Sequence, residues 1–190
     1  MENFRDRIKI APKDKYKINS RNIKDFPYYN MYEKDGKLIG RINPKHELRQ
    51  GKWLQGVSCF VINEKGEVLL EQRTRKGLTP GKIDLVSGHM EKEETAEECM
   101  KRELQEEVGI NVTKNKQLKQ LGAIPLIFES GKSRRKFKIN FFCYRYNNET
   151  IQKQPEEVEN IFWISMEEVF ELIRRGKTKF PYNTRNGSDI

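Results

Sequence analysis

Two stretches of the chain are almost continuously apolar, Val57-Ser58-Cys59-Phe60-Val61-Ile62 and Lys138-Ile139-Asn140-Phe141-Phe142-Cys143-Tyr144. Both are short and rich in β-branched and aromatic residues, so both predict buried strands. Around them the pattern alternates. Glu67-Val-Leu-Leu-Glu-Gln-Arg73 follows the turn sequence Asn63-Glu-Lys-Gly66 and predicts a hairpin with 56–62. Ile83 to Val86 predicts a short strand ending at Ser87-Gly88. Leu118 to Phe128 predicts one or two strands around Pro125, and Phe137 to Tyr146 another. Gly131 to Lys136 reads as a basic loop between them. Pro155 to Ile164 leads into a further strand.

Helical periodicity is confined to two segments. Cys99, Met100, Leu104 and Val108 form an apolar stripe that predicts a helix from Glu94-Thr95 to Val108, with Gly109 as its stop. Ser165 followed by Glu168 forms a capping box and opens a second helix that runs to about Arg175. Strands broken by helices, some joined as hairpins, predict an α/β fold with a mixed sheet flanked by helices. Upstream, Asn30 to Ile42 reads as two short strands joined at Asp35-Gly36. The division expected is an N-terminal extension with that short hairpin over 1–50, a main domain over 51–176 and a tail over 177–190.

Charge and cysteine usage narrow the class. The 37 Lys and Arg against 28 Asp and Glu give a formal charge of +9, which favours polyanionic partners. Three widely spaced cysteines, Cys59, Cys99 and Cys143, do not suit a disulfide scaffold or a cysteine-built zinc site. No signal-like start or membrane-length apolar run is present, so a cytoplasmic protein without membrane attachment is expected.

The chemistry concentrates between Gly88 and Ile110. Glu103, Glu106 and Glu107 stand at i, i+3 and i+4 and share one helical face. Three carboxylates on one face repel. Hard divalent cations with oxygen ligands relieve that repulsion. An exposed acidic helix would show the same spacing. Arg102 is expected to point away from the centre of that face and to pair with Glu94 at the helix start, fixing the preceding loop. Gly88 lets the backbone turn and approach a bound metal or phosphate.

These residues resemble the full Nudix signature: Gly88, Glu94, Arg102, Glu103, Leu104, Glu106, Glu107, Gly109 and Ile110 fill each fixed place. The resemblance spans roughly residues 53–175. It implies a Nudix-like α/β/α sandwich and magnesium-dependent hydrolysis of a nucleoside diphosphate linked to another group. Magnesium, or manganese, would be held by Glu103, Glu106 and Glu107, with a carbonyl near Gly88. The catalytic set would be those glutamates with Arg102 and a general base, Glu157 or Glu159. Gly88, Glu94 and Gly109 would be structural. Arg73, at a strand end, is a candidate phosphate contact, and homodimers are common in relatives.

The segment Leu69 to Met90 also resembles the isopentenyl-diphosphate isomerase branch, through Gly88-His89 and an upstream histidine, His46. Ser87 stands where isomerases carry a catalytic cysteine, which favours hydrolysis, and Cys59 reads as a buried small hydrophobe. Substrate contacts are expected from Lys132, Arg134, Arg135 and Phe137, with Phe128 or Trp53 able to stack on a base. A phosphorylated small molecule, of nucleotide-sugar or dinucleotide type, is the expected substrate. An RNA 5′ end, a prenyl diphosphate, and a non-catalytic nucleotide-binding module are the alternatives.

Overall fold

The computed structural model describes residues 29–32, 37–42, 53–74, 81–91, 94–112, 117–130 and 133–175. In chain order these form strands β1 (Tyr29–Tyr32), β2 (Leu38–Ile42), β3 (Trp53–Ile62), β4 (Val68–Arg73), β5 (Ile83–Asp84) and β6 (Val86–His89). Helix α1 (Ala96–Val108) follows, then β7 (Leu118–Ser130), β8 (Ser133–Arg145), β9 (Val158–Ile164) and helix α2 (Met166–Arg174). No described helix is long and apolar enough to cross a membrane.

β3 is the hub of a mixed sheet. It runs parallel to β8 over its whole length, from Trp53–Lys136 to Ile62–Arg145. Along its other edge it pairs antiparallel with β1 at Leu54–Met31 and with β6 at Gly56–His89 through Cys59–Val86. β4 pairs with β9 and with β5. Parallel strands are usually covered on both faces, and here two core clusters do so. One joins Val57, Cys59, Val61, Phe142 and Tyr144 to Cys99, Met100, Leu104 and Val108 of α1. The other joins Val68, Leu70, Ile83, Leu85 and Ile164 to Val169 and Leu172 of α2. The result is the expected α/β/α sandwich.

Two expectations are corrected, and one left open is resolved. The turn at Asn63–Gly66 forms, with Gly66 at φ 75°, but β3 and β4 pair only at Ile62–Val68. Beyond that point β6 occupies the edge of β3, so the strands diverge. Residues 118–130 form one strand through Pro125, with a bulge between Gln120 and Gly122. Ser133 to Lys136 of the expected basic loop lie in a strand, because β8 begins at Ser133 and pairs with β7 from Ser130 onward. Alternation accounts for part of this last difference: polar and apolar residues interleave from Lys136 to Asn140, which suits a strand with one open face.

Candidate active site

α1 begins at a complete capping box. The Thr95 hydroxyl accepts from Glu98 N and the Glu98 carboxylate accepts from Thr95 N, which satisfies donors left free by the first turn. It ends at Gly109, φ 74°, whose N–H reaches the carbonyls of Gln105 and Leu104. The apolar stripe fixes the helix against the sheet, and that rotation sets the depth of each glutamate. Glu103 is 8% exposed and Glu107 1% exposed, while the Glu106 side chain is 51% exposed.

Glu103 lies over Gly88. A Cβ built on Gly88 would fall 1.8 Å from Glu103 Oε1. The glycine makes room for the carboxylate above it and is not placed there by a left-handed backbone angle. Glu107 Oε2 accepts from Ser87 N at 3.0 Å. β6 thus presents its backbone directly to two of the three glutamates.

Arg102 ties the loop to the helix. Its Nε and Nη2 bond the two oxygens of Glu94 at 3.2 and 2.9 Å, and Nη2 also donates to the His89 carbonyl at 3.1 Å. The expected Glu94 pairing is present. The expected direction is not: Nη1 also bonds Glu103 Oε1 at 2.8 Å and Glu106 Oε2 at 3.0 Å. The long side chain curls back over the acidic face because that is where the negative charge lies.

Two further carboxylates, missed in the sequence, lie beneath the helix. Glu71 of β4 is fully buried and Asp84 of β5 is 2% exposed, and the two are register partners. Arg73 Nη1 stands 3.3 Å from Glu71 and 3.8 Å from Glu107, and Nη2 stands 3.8 Å from Glu157. Asp84 accepts from Leu85 N and from the Ser87 hydroxyl. The signal that could have found Glu71 is its phase: it lies two residues from Leu69 and so shares that residue's buried strand face.

This density of buried acid shifts protonation. Burial raises Glu103 to about 7 against the pull of Arg102. Burial, then the charges of Glu71 and Glu103, raise Glu107 well above the usual carboxylate range. For Glu94 the cost of burial is outweighed by the Arg102 hydrogen bonds, and its carboxyl is lowered. The thiols of Cys59 and Cys99 are pushed up, first by burial, which suits packing and not reactivity.

The remaining candidates are spread over three places. Glu157 precedes β9 and reaches the site through Arg73; its carbonyl accepts from Thr74 N. Glu159 lies within β9, and its carbonyl is bonded by Lys153. The Phe137 ring meets the His89 ring at 5.7 Å between centroids. Arg134 and Arg135 occupy β8 opposite Glu129 and Phe128. His46 and Lys132 lie outside the described residues.

Among the described residues no three acidic, histidine or cysteine side chains already form a finished metal cage. The donors nevertheless suit a hard cation. Arg102 Nη1 places positive charge between Glu103 and Glu106, and the clearance above Gly88 keeps Glu103 beside the β6 backbone.

The comparisons agree with this arrangement. The NUDIX domain family matches residues 52–183, well over half of the chain. An uncharacterised Nudix hydrolase of Nostoc sp. is 29% identical over 160 residues, covering 82% of this chain and 90% of its own. One from Clostridium acetobutylicum is 27% identical over 149 residues, covering 75% and 71%. The solved structure of the MutT protein from Methanosarcina mazei Go1 matches with a TM-score of 0.52 at 26% identity, over 63% of this chain and 81% of that one. The chain belongs to the Nudix family, and its general activity is hydrolysis of a nucleotide diphosphate-linked substrate, an acid-anhydride pyrophosphohydrolysis.

Proposed function

We propose that the protein is a magnesium-dependent hydrolase, able to use manganese, that cleaves the diphosphate linkage of a nucleotide-sugar or dinucleotide type of substrate. The observation that carries this is the stack of Glu103 over Gly88, beside a cation-bridged Glu106 and a buried Glu107. Glu103, Glu106, Glu107 and the Gly88 carbonyl are the groups that would hold the metal. Once bound, a divalent cation neutralises diphosphate charge and acidifies the attacking water. Arg102 has two duties in this reading. It pins Glu94 and the His89 carbonyl, and it holds Glu103 and Glu106 side by side, where they would serve as ligands. Arg73 is a positioning residue more than a phosphate contact, since its guanidinium already faces Glu71, Glu107 and Glu157. Glu157 is the better-placed general base. Its carboxylate is half exposed and adjoins the acidic cluster, so it can accept a proton from water.

Hydrolysis is preferred over the isomerase-like alternative because Ser87 supplies a hydroxyl bonded to Asp84 at 3.0 Å where thiol chemistry would be needed. Residues 1–50 and 177–190 are proposed as appendages to this catalytic unit, and a homodimer is compatible with it. The test is incubation with magnesium and a panel of ADP-ribose, nucleotide sugars, diadenosine polyphosphates and isopentenyl diphosphate, with products identified by mass. Cleavage of one or more nucleotide substrates that falls at least a hundredfold in Glu106→Gln supports the reading. Isomerised prenyl product, or cleavage unaffected by Glu106→Gln, overturns it.

A further inference from the structure

The pairing of β4 with β9 changes step beside the site. From Val68–Ile164 to Gln72–Asn160, each residue along β4 meets the next residue along β9. Continued, that register would set Arg73 opposite Glu159. Instead Arg73 pairs with Val158, which leaves Glu159 as an extra residue between the two pairs. Such a bulge re-aims the side chains beside it. Here it brings Thr74 level with Glu157.

Thr74 then grips the incoming chain twice. Its N–H donates to the Glu157 carbonyl at 2.9 Å, and its hydroxyl donates to the Glu156 carbonyl at 2.8 Å. Any residue but proline supplies the first bond. The second needs a hydroxyl. Just upstream the chain turns tightly, with Glu157 N and Val158 N both donating to the Gln154 carbonyl. Pro155 takes the second position of that turn, where its fixed φ is suited. The same turn is tied to the catalytic helix, since Gln154 N donates to the Glu107 carbonyl at 3.0 Å. One short turn thus joins Glu107 to Glu157, and Thr74 fastens it to β4. The Glu157 side chain is 51% exposed and stands 3.8 Å from Arg73 Nη2, too far for a hydrogen bond to fix it. Its position depends on the seat of its backbone.

We propose that Thr74 is a positioning residue for the hydrolysis: its hydroxyl, acting with the bulge at Glu159, seats the 154–157 turn so that the Glu157 carboxylate stands beside Arg73 and the acidic cluster. In the step served, the water oxygen bonds phosphorus, the bridging P–O bond breaks with its electron pair leaving on the phosphate, and the water proton passes to Glu157. Thr74 acts only through Glu157. This rests on the hydrolase reading above, with Glu157 as its base.

The test compares Thr74→Val, Thr74→Ser, Glu157→Gln and the Thr74→Val/Glu157→Gln pair, with magnesium and ADP-ribose or whichever member of the panel above the wild-type chain cleaves faster. Glu157→Gln should lose about a hundredfold or more in kcat. Thr74→Val should lose about tenfold in kcat with KM unchanged, less than the roughly hundredfold of a 1 Å misplacement. Thr74→Ser should recover most of that loss. The double variant should be no slower than Glu157→Gln alone, because the two residues act as a unit. Amide hydrogen exchange at 154–158 should rise in Thr74→Val and not in Thr74→Ser, with the middle of α1 unchanged. Wild-type kcat in Thr74→Val, an equal loss in Thr74→Ser, a further loss in the double variant, or exchange at 154–158 equal in wild type and Thr74→Val overturns the positioning role alone. Wild-type kcat in Glu157→Gln overturns it together with Glu157 as base, while loss in Glu106→Gln would keep the hydrolase. Absence of turnover with every panel member overturns the hydrolase reading and this role with it.

Discussion

At the scale of single residues, the site is governed by what Gly88 leaves empty. Glu103 can approach the β6 backbone because no side chain intervenes. Gly88→Ala places a methyl group 1.8 Å from Glu103 Oε1, so the carboxylate must move. Misplacement of a catalytic group by about 1 Å costs roughly a hundredfold in rate. We expect kcat to fall by about that factor, with far-ultraviolet circular dichroism unchanged. Near-normal activity in this variant would mean that Glu103 has room to spare. Arg102 is the second governing residue. Its hydrogen bonds to Glu94, to the His89 carbonyl and to both Glu103 and Glu106 make it a loop clamp and a local counter-charge. The spacing of the glutamates was readable in the sequence, and so was the Glu94 partnership. The inward curl of Arg102 was not, because it depends on how far the sheet lifts β6 towards the helix.

At the scale of elements, α1 is specified locally and then seated by contacts distant in sequence. Its cap, apolar stripe and terminal glycine are all within the segment, so its limits were legible to within a residue or two. Loss of the Thr95 hydroxyl removes one half of the capping box. Thr95→Ala is expected to cost about 1 kcal/mol and to lower Tm by roughly 2–4 °C, measured by thermal unfolding; a change below half a degree would contradict that role. The C-terminal end is seated by another segment, for Gln152 N and Gln154 N donate to the carbonyls of Val108 and Glu107. That loop also carries Glu157 to Arg73. Such pairings leave little trace in local periodicity. For the same reason the β3–β8 parallel pair, the separation of β3 from β4, and the burial of Glu71 and Asp84 emerge only in the assembled sheet. A carboxylate inside a strand reads as a solvent-facing position until a helix covers it.

For the molecule as a whole, the unusual quantity is buried negative charge. Glu71, Asp84, Glu103 and Glu107 are all under 9% exposed, with Arg73 the cation reaching in from β4. Glu103, raised to about 7 by burial, and Glu107, raised by burial and by the charges of Glu71 and Glu103, hold protons in the folded metal-free protein that the unfolded chain releases. For such raised acids the stabilising contribution is complete below the unfolded value of about 4.3 and is lost as pH rises through the folded value. The metal-free protein should therefore lose Tm between about pH 5 and pH 8, and magnesium should flatten that slope by favouring the ionised carboxylates. A Tm that rises with pH over that interval in the metal-free protein would contradict the burial argument. The formal charge of +9 acts on a longer scale, drawing anionic substrates to a sheet face whose centre is acidic.

If the glutamates of α1 hold a divalent cation, manganese titration followed by electron paramagnetic resonance will register it. The free-ion signal should disappear as the wild-type chain takes up at least one manganese ion. Glu106→Gln, which removes the most exposed ligand and leaves the core untouched, should weaken that uptake at least tenfold. Uptake that is absent in the wild-type chain, or equal in the two proteins, would contradict the account.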